Sequence, residues 1–396
     1  MLDTRLIRDV AERLSDTVTA HRRQLHRRPE LGFAEHETAR YIESVLDRLG
    51  IPHRRVVGTG VVAVIDGDGP RCVGVRADMD ALPVPEAQGR EGYRSEIEGV
   101  SHACGHDAHV AIALGLAELL VQAQPLPGRV ALYFQPAEEG PGGAAPMVAA
   151  GVLDDPQPDA VLALHVASGY ESGLVALRPG PMTASDDTLR ITVHGVGGHA
   201  AHPDTARDPI PVAASIVHAV QHVVGRELNP AHPAVVTFGS IHGGTRHNVI
   251  APSVDLAGTI RAVHERDRAH LVERVIQVAE GIAEAHRTTV TIEHDVGYPV
   301  GVNDPTLAAV VSDAAAAVLG DDRVVTEEYP SLGAEDFGVF GSTGVPVCLF
   351  RLGVGNAARG ITAPHHSPLF DVDEAALPAG VAVFAETVRR LLTKEG

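Results

Sequence analysis

Between Ser101 and His109 the chain reads SHACGHDAH, one thiol, one carboxylate and three imidazoles within nine residues. Three further islands carry the same chemistry: Gln135-Pro-Ala-Glu-Glu139, Ala163-Leu-His165 and His365-His-Ser-Pro368. Thiolate, imidazole and carboxylate are the side chains that hold a divalent transition metal. The islands lie too far apart to meet by local folding, so any fold that unites them must bring distant segments to one place. A buried metal centre is therefore the first hypothesis.

The organisation of the chain allows it. At 396 residues the chain is too long for one simple core, and two domains are expected. A helical start over Leu6 to Gly50, broken at Arg28-Pro-Glu-Leu-Gly32, leads into short β-branched runs at 61–67 and 72–80 that read as strands. A helix from about His109 to Gln124, small and apolar nearly all round, reads as buried. Strands at Arg129–Gln135 and Ala160–His165 follow, and this alternation predicts an α/β layer with a mostly parallel sheet. After Pro181 the pattern becomes β-α-β-β-α-β, the order of a ferredoxin-like sandwich. From Pro299 the α/β pattern resumes, with a helix at 304–319, a strand at 345–353 and a helix at 374–393. The predicted architecture is an α/β catalytic domain, residues 1–183 and 299–396, interrupted by a ferredoxin-like α+β domain at 184–298.

Composition narrows the function classes. A formal charge of −19 argues against nucleic acid or an anionic membrane surface as partner. No segment approaches the roughly eighteen uninterrupted apolar residues of a membrane helix. The first sixteen residues read as a charged amphipathic helix without the apolar stretch of a secretory signal. Three cysteines, Cys72, Cys104 and Cys348, do not resemble a disulfide framework. Together these features predict a soluble, cytoplasmic chain.

Island by island, the chemistry divides into roles. Cys104 and His106 sit on a glycine-containing turn before the buried helix, whose N-terminus would lower the thiol pKa and favour metal binding. Glu138 and Glu139 follow the strand VALYFQ at its carboxyl end, where α/β enzymes place their sites. Alone, such a pair would read as a solvated turn; here one carboxylate can ligate metal while the other takes a proton from water. His165 ends an apolar run, and either His365 or His366 would close the site. The inserted domain carries a second polar set: His199 in a glycine-rich turn, Asn248, and Arg261, whose planar fork suits a carboxylate.

At this point an end-to-end resemblance emerges. LHRRPELGFAEHET (25–38), RADMDALP (76–83), HACGHDAH (102–109), QPAEEGPGGA (135–144), GGHAAHP (197–203), NVIAPS (248–253), GTIRA (258–262), GAEDF (333–337) and HSPLFDVDE (366–374) occur in order. They resemble the M20 metallopeptidase/amidohydrolase family, in the branch of hippurate hydrolases, N-acyl-amino-acid amidohydrolases and auxin-conjugate hydrolases. The resemblance implies two divalent ions, Zn, Mn, Co or Ni, held by Cys104, His106, Glu139, His165 and His366. It implies Glu138 as general base and acid, and Asp80 as the residue orienting the site. His199 would face the substrate carbonyl, and Asn248 and Arg261 the substrate carboxylate. It also implies that the inserted domain is a lid and dimerisation domain, giving a homodimer or tetramer. Ala251 in NVIAPS departs from the family's usual NVIP.

The implied activity is hydrolysis of the linear amide bond of an N-acyl amino acid, a small-molecule substrate of the hippurate or N-acetyl type. Two cations sharing a water would acidify it and polarise the amide carbonyl. A dipeptidase or carboxypeptidase of the same family is the alternative, since the acyl pocket alone separates the two. A Cys104-nucleophile hydrolase is a rival of another class, but it leaves Glu138, Glu139, His165 and His366 without a task.

Overall fold

The computed structural model describes residues 3–90 and 92–393; Met1 and Leu2 of the expected N-terminal helix lie outside the described residues. The chain forms two compact units. The first takes the chain up to Gly180, Val302–Glu328 and everything from Asp336; the second takes Pro181–Gly301 and Tyr329–Glu335.

The first unit is built on an eight-stranded sheet in the order His53–Val56, Gly60–Ile65, Arg129–Gln135, Cys72–Asp78, Ala160–Glu171, Val347–Gly355, Val175–Leu177, Val324–Thr326. Its inner strands, from Arg129–Gln135 to Val347–Gly355, run parallel, and antiparallel pairings occur toward both edges. Parallel strands covered on both faces should be apolar without alternation. Cys72–Asp78 is buried along its whole length, and Arg129–Gln135 along all but its first residue. The helix His106–Gln122 is buried nearly all round, as its small and apolar composition predicts. It packs against the helices Ser15–Arg27 and Leu377–Thr393. Among the described residues, no helix is long and apolar enough to cross a membrane.

The second unit is a four-stranded antiparallel sheet in the order Ala234–Gly243, Ser253–Ala262, Asp187–His194, Thr289–Val296. With the helices Pro209–Arg226 and Glu265–Ala285 this is the predicted ferredoxin-like order. Asp187–His194 alternates between buried and outward residues, the signature of a sheet with one covered face. Leu189, Ile191 and Val193 meet Val212, Ile216, Leu271 and Val275 of the helices in a core of this unit's own.

The second unit runs a few residues past the predicted boundaries, over 181–183 and 299–301, and one remote segment joins it as well. Residues 329–335, assigned from sequence to the catalytic domain, cluster with the second unit. Ser331 bridges Thr183, its N–H reaches Met182 O at 2.9 Å, and Ala184 N–H reaches Gly333 O at 3.1 Å. These are backbone pairings, to which side-chain patterning is blind.

Candidate metal centre

Parallel pairing sets the site. Cys72–Asp78 and Arg129–Gln135 end together, with Asp78 opposite Gln135. Asp80 and the Glu138–Glu139 pair therefore emerge at the same carboxyl edge of the sheet. His106 opens the buried helix three residues earlier than the sequence pattern suggested. The turn before it requires Gly105: its φ is +87°, and a Cβ there would come 2.4 Å from a Val166 methyl. His165 lies within the strand Ala160–Glu171 instead of ending it. The neighbouring Cys72–Asp78 pairs with this strand only as far as Ala163, which leaves His165 just past the last pair.

Four segments then meet. Ligand atoms of Cys104, His106 and His165 lie within 4.8 Å of one another, and so do those of Cys104, Glu139 and His366. The two groups share the Cys104 sulfur. A third, His106 with Glu138 and Glu139, overlaps both. Sγ of Cys104 is 3.5 Å from Nε2 of His165, and Nε2 of His366 is 3.0 Å from Oε1 of Glu139. His366, at a left-handed φ of +62°, presents its ring to Glu139. Its neighbour His365 instead gives Nε2 to the carbonyl of Val166 at 3.0 Å.

The donors fit a pair of divalent ions. His106 is fully buried and among the described residues its Nε2 has no hydrogen-bond partner, a costly arrangement unless a cation completes it. Its other nitrogen, Nδ1, lies 3.2 Å from Oδ1 of Asp80, the carboxylate–imidazole contact that fixes the tautomer of a ligating histidine. His165 likewise commits Nδ1 to Val166 O at 2.7 Å, leaving Nε2 facing Cys104. One sulfur, three nitrogens and a carboxylate suit borderline ions such as Zn or Co better than Mg or Ca.

One expectation fails. The helix N-terminus was expected to lower the Cys104 pKa, yet burial pushes the thiol well above its usual range. The neighbouring His106 opposes this shift, whereas the nearby Glu139 and Glu138 carboxylates add to it. Without metal the group is a thiol, and a bound dication is what would deprotonate it.

The remaining polar residues of SHACGHDAH brace the site. Asp107 accepts from Arg22 Nε at 3.1 Å and pairs with His26 Nδ1 at 2.7 Å. His109 spans from Asp78 at 2.5 Å to the backbone N–H of Val166 at 2.9 Å. Burial presses His102 down to about 4, a neutral ring. Asp78, which the sequence motifs did not single out, follows Arg76 by two positions in the strand Cys72–Asp78 and so shares its face. Asp78 accepts from Arg76 at 2.7 Å and lies 3.7 Å from His106 Nε2. Arg76 also reaches Asp336, the aspartate of GAEDF, at 2.8 Å.

In the second unit, the short strand Gly198–His199 pairs with Val249–Ile250, and Ala200 N–H donates to Asn248 O at 3.2 Å. His199 and Asn248 are thus neighbours, both exposed. Arg261 is half-buried and already engaged, with Asp186 at 3.3 Å and Leu332 O at 3.2 Å.

Residues 74–390 match peptidase family M20/M25/M40. The chain belongs to the M20 family. It is 39% identical to thermostable carboxypeptidase 2 of Saccharolobus solfataricus, with 96% of each chain covered. It is 38% identical to an IAA-amino acid hydrolase of Arabidopsis thaliana, over 95% of this chain and 86% of that one. A crystal structure of the Bacillus subtilis YXEP protein, a dinuclear metal-binding M20 peptidase, matches with a TM-score of 0.83 and 32% identity, covering 96% of this chain and 99% of that one. This M20 protein is accordingly a metal-dependent hydrolase of the amidohydrolase branch, with an α/β unit built on a mostly parallel sheet.

Proposed function

We propose that this M20 hydrolase cleaves the amide bond of N-acyl amino acids, releasing a carboxylic acid and a free amino acid. The observation that carries the reading is the convergence of two ligand groups on Cys104 with Glu138 packed beside them. Cys104, His106, Glu139, His165 and His366 would hold two divalent ions, which when bound supply Lewis-acid charge and an acidified water.

The chain's own residues do the rest. Glu138, only 6% exposed, takes a proton from the attacking water as its oxygen bonds to the acyl carbon. As the C–N bond breaks, Glu138 returns that proton to the departing amine, so no proton is gained or lost overall. Asp80 accepts the N–H of Glu138 and of Glu139, each at 3.0 Å, and so holds both carboxylates to one turn. His199 is assigned to the developing oxyanion, and Asn248 and Arg261 to the substrate carboxylate. For Arg261 this means exchanging or sharing its Asp186 partner.

A second reading, carboxypeptidase or dipeptidase action, is favoured by the likeness to the Saccharolobus carboxypeptidase. A panel of hippurate, N-acetyl amino acids and dipeptides decides between them. Preference for dipeptides over every N-acyl amino acid would refute the first reading. A Cys104 nucleophile is disfavoured by burial of a thiol held protonated. Glu138→Gln should retain metal and lose at least about 10²-fold in kcat; retention of more than about a tenth of the wild-type rate would remove Glu138 from the base role.

A further inference from the structure

The turn that carries Glu138 is held at its first residue by a carboxylate from a remote segment. Ala137 is fully buried and adopts a left-handed φ of +55°, a conformation that a residue with a Cβ resists. Its N–H donates to Oε1 of Glu35 at 2.8 Å. Oε2 of Glu35 accepts the hydroxyl of Thr59 at 2.6 Å, and both residues are almost completely buried. The next two N–H groups, of Glu138 and Glu139, go to Asp80. Three consecutive amides are thus fixed by two carboxylates, one of them from outside the strand edge that bears the metal ligands.

The segment around Glu35 is shaped to this task. Leu31 bridges Ala81, and Ala81 N–H donates to Glu30 O at 2.8 Å, which docks the loop beside Asp80. Gly32 then lies against the same turn: a Cβ there would come 2.9 Å from the Cβ of Ala137 and 3.6 Å from Asp80 Oδ2. Glycine at 32 lets the loop approach closely enough for Glu35 to reach Ala137. The PELGFAE segment, for which neither metal ligation nor proton transfer has a use, thereby gains a function.

We infer that Glu35 is a positioning residue for catalysis, holding the Ala137–Glu139 turn so that Glu138 faces the reacting water. The inference rests on Glu138 as the general base. Because Glu35 works as a hydrogen-bond acceptor at Ala137, its charge is dispensable: a glutamine presents an amide oxygen at the same place, and Thr59 can turn its hydroxyl to accept. Removing the acceptor frees the turn and misaims Glu138, a displacement of the kind that costs up to about 10²-fold in rate. Substrate binding uses other groups, and Glu139 stays tied to Asp80 through its N–H and to His366 through its carboxylate, so KM and bound metal should persist.

The test compares Mn²⁺-loaded wild type, Glu35→Ala, Glu35→Gln, Thr59→Val and Glu138→Gln on the same N-acetyl amino acid, with metal content measured for each. Glu35→Ala should lose about 10- to 10²-fold in kcat, with KM and bound metal unchanged, and Glu35→Gln should recover most of the loss. Wild-type kcat in Glu35→Ala, metal lost in proportion to activity, or a Glu35→Gln as poor as the alanine variant would each overturn the inference. Should Glu35→Ala not fold, Thr59→Val decides, and wild-type kcat there also overturns it. An active Glu138→Gln would instead remove the general base on which the inference rests; an inactive one beside a fully active Glu35→Ala would sink the Glu35 role alone.

Discussion

Replacing Arg22 by methionine is expected to be among the most damaging single changes outside the candidate metal ligands. The guanidinium is 1% exposed and meets three carboxylates: Asp107 at 3.1 Å, Asp371 at 2.6 Å and Glu374 at 3.0 Å. Asp371 and Glu374 keep other donors when it is gone, Tyr93 at 2.8 Å for the first and Arg23 at 2.6 Å for the second. Asp107 does not fare as well. Its side chain is fully buried, and among the described residues Oδ1 has no hydrogen-bond partner and His26 would be the hydrogen-bonding side chain left to Oδ2. Breaking a buried ion pair from one side leaves an uncompensated charge, a loss of about 3–5 kcal/mol. Burial favours the neutral acid, but the Arg22 and His26 charges outweigh it and hold Asp107 well below its usual range. Without Arg22 that carboxyl should take up a proton more readily, so the deficit against wild type should shrink as pH falls. The chain contains no tryptophan, so urea unfolding is followed by far-ultraviolet circular dichroism on metal-loaded protein. Arg22→Met combined with Asp107→Asn should cost less than the sum of the single changes, since a neutral amide needs no cation. A loss below about 1 kcal/mol for Arg22→Met, in the range of an exposed pair, or strict additivity in the double variant, would refute the reasoning.

Three further outcomes are expected. Exhaustive chelation should abolish turnover and lower thermal stability, and Mn²⁺, Co²⁺ or Zn²⁺ should restore both. The Co²⁺ form should show a thiolate-to-cobalt charge-transfer band that Cys104→Ser lacks, and a band surviving that change would displace Cys104 from the ligand set. Burial, aided by nearby Arg48, lowers His21 to about 4 from 6.5. The unfolded chain therefore binds this proton first, and stability present above pH 6.5 should decline as pH falls toward 4, by up to about 3 kcal/mol from this group. His21→Asn should flatten that part of the pH–stability curve, and an unchanged curve would show that other groups govern it.

Much of the candidate site was legible in the sequence because its chemistry is local to each segment. Cys104 and His106 on a glycine turn, Glu138–Glu139 after an apolar strand, and His165 in an apolar run are readable from neighbours alone. So were the elements themselves: Arg129–Gln135 has the bounds its pattern predicts, and the β-α-β-β-α-β order of the second unit follows from periodicity. Other residues escaped for a physical reason. Glu35 meets Ala137 across 102 positions and Arg22 meets Asp107 across 85, and no periodicity links such pairs. The rise in the Cys104 pKa was also hidden, since helix position is a sequence property whereas depth of burial is not.

The sequence by itself determined which side chains were on hand and at which ends of which elements they stood, because hydrophobic period and turn residues are written residue by residue. Tertiary structure alone decided which of them meet. Parallel pairing of Cys72–Asp78 with Arg129–Gln135 and Ala160–Glu171 brings Asp80, Glu138 and His165 to one edge. The left-handed turn at His366 presents one of two adjacent imidazoles to Glu139 and leaves the other on a backbone carbonyl. Strand register and buried hydrogen bonds are long-range choices, made when apolar surfaces close and every enclosed polar atom must find a partner.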